Sequence, residues 1–221
     1  MSSSRTNPWC VYASILSADP LALGSEIQSV APYVDGLHWD IMDGHYVPNL
    51  TLGPALIRRA RATFPGVWFD VHIMAQPSQE ILGLFWDLGI QSLSFHPSTV
   101  ASVETCLSAL HHRGIQRGFA INLEDDPLSW PSSWWNQVDY AVVMAVKPGF
   151  PAQTFNNASL DHIRQIRARF PSLSIVVDGG ITNQTAPQCY AAGANGVISG
   201  NFIFQGTDYQ KNAAQLRQLL F

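Results

Sequence analysis

Short apolar runs of strand length alternate along this chain with longer stretches in which apolar positions recur at helical spacing. The runs predict strands near Val11–Leu16, Gly36–Met42, Val67–Ile73, Gln91–Phe95, Gln116–Ile121, Tyr140–Ala145, Ser174–Val177 and Gly196–Ser199. The stretches between them predict helices near Pro20–Ala31, Pro54–Phe64, Ser78–Leu88, Thr99–His112, Pro127–Trp135, Ala158–Phe170, Thr182–Ala192 and Tyr209–Leu220. Pro20, Pro54 and Pro127 stand where a first helical turn tolerates proline, and Gly114 and Gly193 stand where helices commonly end. Strands alternating with helices imply parallel strands joined by crossovers, either in a closed barrel or in an open doubly wound sheet. The eight-fold count, with a repeat of roughly 25 residues, favours the barrel. No Gly-x-Gly-x-x-Gly follows the first strand, which weakens the dinucleotide-binding alternative. The expected fold is therefore α/β, a single (β/α)8 TIM barrel over residues 1–221, with residues 1–8 a short polar N-terminal extension. The segment Pro127–Trp135 is short and Trp-rich, and Trp130, Trp134 and Trp135 are read as packing residues.

Composition narrows the class. With 47% hydrophobic and 13% charged residues, the 221-residue chain reads as an ordinary soluble globule able to bury its own core. The net charge of −4, with Lys and Arg scattered, leaves no footprint for nucleic acid. A local pocket for a small anion remains compatible with it. Cys10, Cys106 and Cys189 are far apart and form no Cys-x-x-Cys pair, so free thiols are expected rather than a disulfide framework or a zinc knuckle. The N-terminus has no long apolar leader segment, and no stretch approaches the roughly 18 apolar residues of a membrane span. A cytoplasmic location without membrane contact is the expectation.

In a barrel, chemistry sits at the C-terminal ends of the strands. His38 and Asp40 stand two apart on one predicted strand and so point to the same side. Asp70 and His72 do the same on the next strand, and Asp178 ends a buried apolar run. Each residue alone fits an ordinary hydrogen-bonded strand end. Together His38, Asp40, His72 and Asp178 make a plausible site for one divalent metal ion, and mixed N/O ligands leave Zn, Fe, Mn and Co all open. Met42, Met74 and Met144 lie just beyond these positions, either as core filler or as a soft lining over a planar intermediate. Glycines follow the late strands at Gly149, Gly179-Gly180 and Gly200, where barrels often build phosphate sites.

At these residues the chain resembles the ribulose-phosphate 3-epimerase family, which includes allulose-6-phosphate 3-epimerase. The matching strings are Ala13-Ser14-Ile15-Leu16-Ser17-Ala18-Asp19, His38 through Asn49, Phe69-Asp70-Val71-His72-Ile73-Met74, Met144 through Phe150, and Val177-Asp178-Gly179-Gly180. The resemblance implies that His38, Asp40, His72 and Asp178 bind the metal and that Asp40 and Asp178 form the acid/base pair. It implies substrate contacts at Ser14, His72, Met42, Met74 and Met144. It places a phosphate on the loops at Gly149, Phe150, Pro151, Ala152, Gly179, Gly180, Gly200 and Asn201. The implied reaction interconverts D-ribulose 5-phosphate and D-xylulose 5-phosphate. One aspartate removes the C3 proton to give a 2,3-enediolate, and the other returns a proton from the opposite face. The implied partner is a small ketose phosphate, and the implied assembly is a homo-oligomer. Asp70, His45 and His96 are candidates for orienting the ligands.

Three departures from the family pattern bear on substrate choice. The loop usually written Pro-Gly-Phe-Gly-Gly-Gln here reads Pro148-Gly149-Phe150-Pro151-Ala152-Gln153. Pro151 has no N–H, and Ala152 disfavours positive φ. Lys147 replaces an acidic residue or Asn, either restoring positive potential or standing solvated at the surface. Gly200-Asn201-Phe202 replaces Gly-Ser-Ala. These changes keep open a 3-epimerase of another ketose phosphate, such as D-allulose 6-phosphate, and a non-catalytic sugar-phosphate-binding relative. A sister group of barrels, the phosphate-binding decarboxylases, carries Asp-x-Lys-x-x-Asp, and Asp40-Ile41-Met42-Asp43 lacks that lysine.

Overall fold

Alternation of side chains along each strand splits the apolar residues into two layers, one facing the helices and one facing the barrel axis. The computed structural model describes residues 9–218. The expected polar extension and the last residues of the expected C-terminal helix lie outside them. The strands are β1 (Cys10–Ser14), β2 (Gly36–Met42), β3 (Phe69–Met74), β4 (Ser92–Phe95), β5 (Gln116–Ile121), β6 (Tyr140–Met144), β7 (Ser174–Asp178) and β8 (Gly196–Ser199). They pair in sequence order, all parallel, and β8 closes onto β1. Around them run α1 (Leu23–Val30), α2 (Pro54–Thr63), α3 (Ser78–Leu82), α4 (Val103–His111), α5 (Ser132–Trp135), α6 (Ala158–Arg169), α7 (Ala186–Ala192) and α9 (Tyr209–Arg217), with a short α8 (Asn201–Phe204) after β8. This is a (β/α)8 TIM barrel.

Leu37, Trp39 and Ile41 of β2, Phe69, Val71 and Ile73 of β3, and Val143 and Val177 face outward into the core shared with Ile27, Ile57, Leu107 and Ile163 of the helices. The intervening residues point inward. Tyr140, Val142, Met144, Val176 and Ile198 pack with Tyr12 as a plug along the axis. Two tyrosine rings fit there because neighbouring strands carry glycine. A Cβ at Gly36 would stand 2.9 Å from Tyr12 Cε1. A Cβ at Gly118 would collide with the Tyr140 ring and lie 2.8 Å from Ser94 Cβ.

Several expected helices are shorter than their hydrophobic pattern, each for a local reason. The segment Pro127–Trp135 divides into a 3-10 turn at Pro127–Ser129 and α5, because Pro131 forces Trp130 out of the helical region (φ −70°, ψ 147°). Its tryptophans pack, as expected: Trp135 stacks on Phe170 with centroids 4.8 Å apart and lies edge-on to Phe119 at 5.6 Å. The helix expected over Ser78–Leu88 keeps its α form only to Leu82, and from Gly83 the bonds tighten to i→i−3, as in Leu84 N–H to Ile81 O. In α7, Pro187 fixes the first turn, and Thr182 to Thr185 form a hydroxyl-bonded turn instead of helix. The helix expected from Thr99 starts at Val103, where Ser102 caps it by accepting from Thr105 N–H. No disulfide joins Cys10, Cys106 and Cys189. Among the described residues no helix is long and apolar enough to cross a membrane.

The glycine–tyrosine fit makes a direct prediction. Gly118→Ala should destabilise the fold by about 1–3 kcal/mol in urea unfolding, because a methyl group has no room beside Tyr140. A change under roughly 0.5 kcal/mol, the range of an ordinary surface substitution, would show that the ring yields freely.

Candidate active site

Strands β2 and β3 carry histidine and aspartate in opposite order, His-x-Asp and Asp-x-His. Their parallel register pairs His38 with Asp70 and Asp40 with His72. An imidazole therefore meets a carboxylate at two successive levels of the barrel interior, and Met42 meets Met74 one level above. Asp178 joins from β7, beside Met144 of β6. One ligand atom from each of His38, Asp40, His72 and Asp178 lies within 4.8 Å of the others. His38 Nε2 is 3.3 Å from Asp40 Oδ1 and 4.0 Å from Asp178 Oδ2, and His72 Nδ1 is 3.5 Å from Asp40 Oδ1.

These separations suit a common cation, since bonds of about 2.1 Å place the ligands of one ion roughly 3–4 Å apart. The remaining hydrogen bonding agrees. His38 Nε2 and His72 Nδ1 are buried without a hydrogen-bond partner, and both face the cluster. Their opposite ring nitrogens are occupied: His38 Nδ1 lies 2.7 Å from Asp70 Oδ2, and His72 Nε2 lies 3.0 Å from His96 Nε2. Histidines whose far nitrogen is held and whose near nitrogen is free are set up as ligands. Asp40 is steadied by Ser14, whose hydroxyl donates to Oδ2 at 2.8 Å. Of the residues considered for orienting the ligands, Asp70 and His96 do contact them. His45 does not: it is exposed in the turn after β2, bonded to Asp43.

Burial opposes charge on each member of the cluster, and the neighbours decide the balance. At His38, burial is outweighed by Asp40 and Asp70, so the imidazolium is favoured well above the usual histidine range. Burial of Asp40 is likewise overcome, chiefly by His38, and its carboxyl lies far below the usual range. Asp178 moves the other way. Burial and the charge of Asp40 push its carboxyl up to about 7. His72 is pushed down, first by burial.

Above this floor opens a cavity of about 410 Å³, within the roughly 300–1,000 Å³ of small-molecule sites. Asp40, Asp178 and Ser14 reach it from below, and Met42, Met74 and Met144 line its walls. His38 and His72 stay fully buried beneath it. Gly149, Phe150, Pro151 and Ala152 form one rim, with Phe150 half-exposed at the mouth. Gly179, Gly180, Gly200 and Asn201 line the same cavity beside that rim, and Gly179 and Gly180 pack against Val146 and Phe155, which flank the Gly149–Ala152 stretch. The rim is tied across the mouth by Asn49, whose side-chain amide donates to Gly149 O at 2.7 Å. Gly180 sits at φ 64° with its missing Cβ 2.6 Å from Phe155 Cα, so only glycine fits there. Ala152 adopts φ 59° despite its Cβ, so the loop holds the left-handed conformation at a strained position. Lys147 is exposed and stands outside the cavity lining, the solvated alternative of the two expected for it. Asp40 and Asp178 are the cavity's charged side chains among the described residues, and the loops above them contribute Gln153, Asn157, Thr182, Gln184 and Gln205. These amides and hydroxyls escaped sequence analysis because polar loop residues carry no spacing signal.

Residues 10–204 match the ribulose-phosphate 3 epimerase family. The chain belongs to that family. It is 33% identical over 217 residues to a ribulose-phosphate 3-epimerase of Escherichia coli, covering 96% of each chain. The corresponding protein of Serratia marcescens is 35% identical over 206 residues, covering 91% of this chain and 98% of that one. Membership places this chain among the isomerases, as an epimerase acting on carbohydrate phosphates. The barrel also matches a solved 3-hexulose-6-phosphate synthase from Salmonella typhimurium, with a TM-score of 0.71 at 19% identity over 96% of this chain and 98% of that one. At that identity the likeness concerns the fold.

The protonation pattern predicts a pH-dependent metal affinity. A raised carboxyl is protonated below its pKa, so below about pH 7 an ion must displace a proton from Asp178 as well as from His38. Calorimetry in buffers of different ionisation enthalpy should find more protons released per ion at pH 6 than at pH 8, with weaker binding at pH 6. Equal release at both values would contradict the assignment of Asp178 as a ligand.

Proposed function

We propose that this chain is a divalent-metal-dependent 3-epimerase that interconverts D-ribulose 5-phosphate and D-xylulose 5-phosphate, with Asp40 and Asp178 as the proton-transferring pair. The observation that carries the proposal is the convergence of His38, Asp40, His72 and Asp178 within 4.8 Å beneath a cavity into which both carboxylates open. A divalent ion held by these four residues supplies Lewis acidity that stabilises negative charge developing beside the substrate carbonyl. Zn, Fe, Mn and Co all suit two imidazoles and two carboxylates.

Inversion at C3 needs two groups, because one base returning its own proton to the same face regenerates substrate. Asp40 on β2 and Asp178 on β7 are the two carboxylates that open into the cavity, and they come from different strands. One removes the proton from C3 to give a 2,3-enediolate, and the other protonates the opposite face, with roles exchanged in the reverse direction. Ser14 holds Asp40 at 2.8 Å, which limits its rotation during transfer. The methionines Met42, Met74 and Met144 offer polarisable apolar walls that exclude water from the reacting carbon. The phosphate belongs on the loops at Gly149 to Ala152, Gly179-Gly180 and Gly200-Asn201, which line one cavity. There backbone N–H groups can approach an anion closely.

A second reading, favoured by the Pro151-Ala152 rim and by Asn201-Phe202, keeps the chemistry and changes the substrate to another ketose phosphate such as D-allulose 6-phosphate. With the family reading we also infer a single barrel domain, in a cytoplasmic homo-oligomer.

Solvent deuterium wash-in at C3, followed by NMR with metal-replete protein, tests both readings. Label should appear with ribulose 5-phosphate and disappear on chelation. Label with allulose 6-phosphate alone would select the second reading, and none with either would refute both. Asp178→Asn should lower exchange and epimerisation by at least about 10³-fold, within the range of general acid–base catalysis. Turnover retained above a few per cent in the folded variant would exclude the two-aspartate scheme.

A further inference from the structure

We propose that Tyr140 is a positioning residue for the metal ligand His38, acting from across the barrel interior through Asp70. The inference rests on the metal assignment above. Asp70 is buried, and its two carboxylate oxygens do different work. Oδ2 meets His38 Nδ1 at 2.7 Å. Oδ1 accepts two hydroxyls, Tyr140 Oη at 2.6 Å and Ser92 Oγ at 2.6 Å. The direction of the serine bond follows from its other neighbour. Trp68 Nε1–H donates to Ser92 Oγ at 3.0 Å, so the single serine proton is available for Asp70. Two donors on Oδ1 fix the plane of the carboxylate and aim Oδ2 at the imidazole. With the Nδ1 proton committed to Asp70, Nε2 is the nitrogen that faces the cluster, where it lies buried without a hydrogen-bond partner.

Tyr140 can reach Asp70 only because of what surrounds it. The residue begins β6, and Asp70 lies on β3, with β4 and β5 between them in the barrel. Its ring crosses that interval in the space left by Gly118 and packs on Val142, Val176 and Ile198. The ring is immobilised on apolar surface while its hydroxyl delivers one bond to a buried carboxylate. Space filling needs only the ring, whereas positioning His38 needs the hydroxyl.

Titration with Co²⁺, followed by visible absorption, separates the two roles. Tyr140→Phe should raise the Kd for Co²⁺ by about tenfold and alter the ligand-field spectrum, in the range seen when partners behind metal ligands are removed. Tyr140→Phe combined with Ser92→Ala should approach a hundredfold, the upper end of that range. Tyr12→Phe removes a hydroxyl from the same apolar plug without touching Asp70 and should bind as the unmodified protein does. The metal-free Tyr140→Phe protein should still unfold cooperatively, at a somewhat lower temperature because Asp70 loses one buried donor. If Tyr140→Phe does not fold, Ser92→Ala alone carries the test, because it removes a donor from the same oxygen. Unchanged Co²⁺ affinity and spectrum in Tyr140→Phe, or in Ser92→Ala if that variant stands alone, would overturn the inference and leave the metal assignment intact. An unmodified protein that binds no Co²⁺, or binds it equally well after His38→Ala, would overturn both.

Discussion

Ionisable groups sealed inside a barrel must satisfy one another, because water cannot reach them and an unpaired buried charge is very costly. That requirement organises the interior of this chain. His38, Asp70, His72 and His96 are almost wholly buried, and Asp40 is nearly so. The opposite order of histidine and aspartate on β2 and β3 makes their parallel register self-complementary at two levels. Removing either strand's polar pair would strand the other. The cluster still does not close on itself. Two imidazole nitrogens remain without partners at its centre, and Asp178 is pushed toward neutrality by burial and then by the charge of Asp40. A divalent cation bound there, as proposed, would resolve both conditions at once.

The part of this arrangement that follows from strand periodicity was legible in the sequence. Residues two apart on a strand share a face, so His38 with Asp40 and Asp70 with His72 could be paired before any coordinates. The barrel itself followed from eight apolar runs in alternation. What could not be read was which residues from distant strands would meet. Tyr140 looks like an ordinary aromatic at a strand start, and nothing local ties it to Asp70 seventy positions earlier. Spacing still held a faint signal, since Tyr140, Val142 and Met144 share the inward face. Helix ends were misplaced where local geometry outweighed periodicity: Pro131 divided one segment, and beyond Leu82 another tightened to i→i−3 bonds. The four-residue α8 was missed because one turn has no period to detect. His45, considered for orienting the ligands, proved to face solvent.

The two ends of the cavity are held by different kinds of structure. The floor is built from strand residues locked by pairing and by side-chain bonds to neighbouring strands. The rim is built from loops, where Ala152 adopts a left-handed conformation and Pro151 lacks an N–H. No Lys, Arg or His lines the cavity among the described residues. An anion there must be met by backbone N–H groups, amides and hydroxyls. Recognition of that kind depends on geometry more than on charge, and it is therefore sensitive to the loop changes that set this chain apart.

This division has a consequence for how activity and substrate choice can vary. A substitution in the floor disturbs a network in which every member constrains another, so its effect spreads to the ligands. A substitution in the loops alters the fit of the substrate's remote end without moving Asp40 or Asp178. In the proposed scheme, binding energy from that remote end would still reach the chemistry, by holding the reacting carbon between the two carboxylates. Asn49 lies where the two regions join, linking the loop after β2 to Gly149 in the loop after β6. On the proposed mechanism, this chain would change the sugar it prefers through its loops while the two carboxylates stay fixed by the barrel.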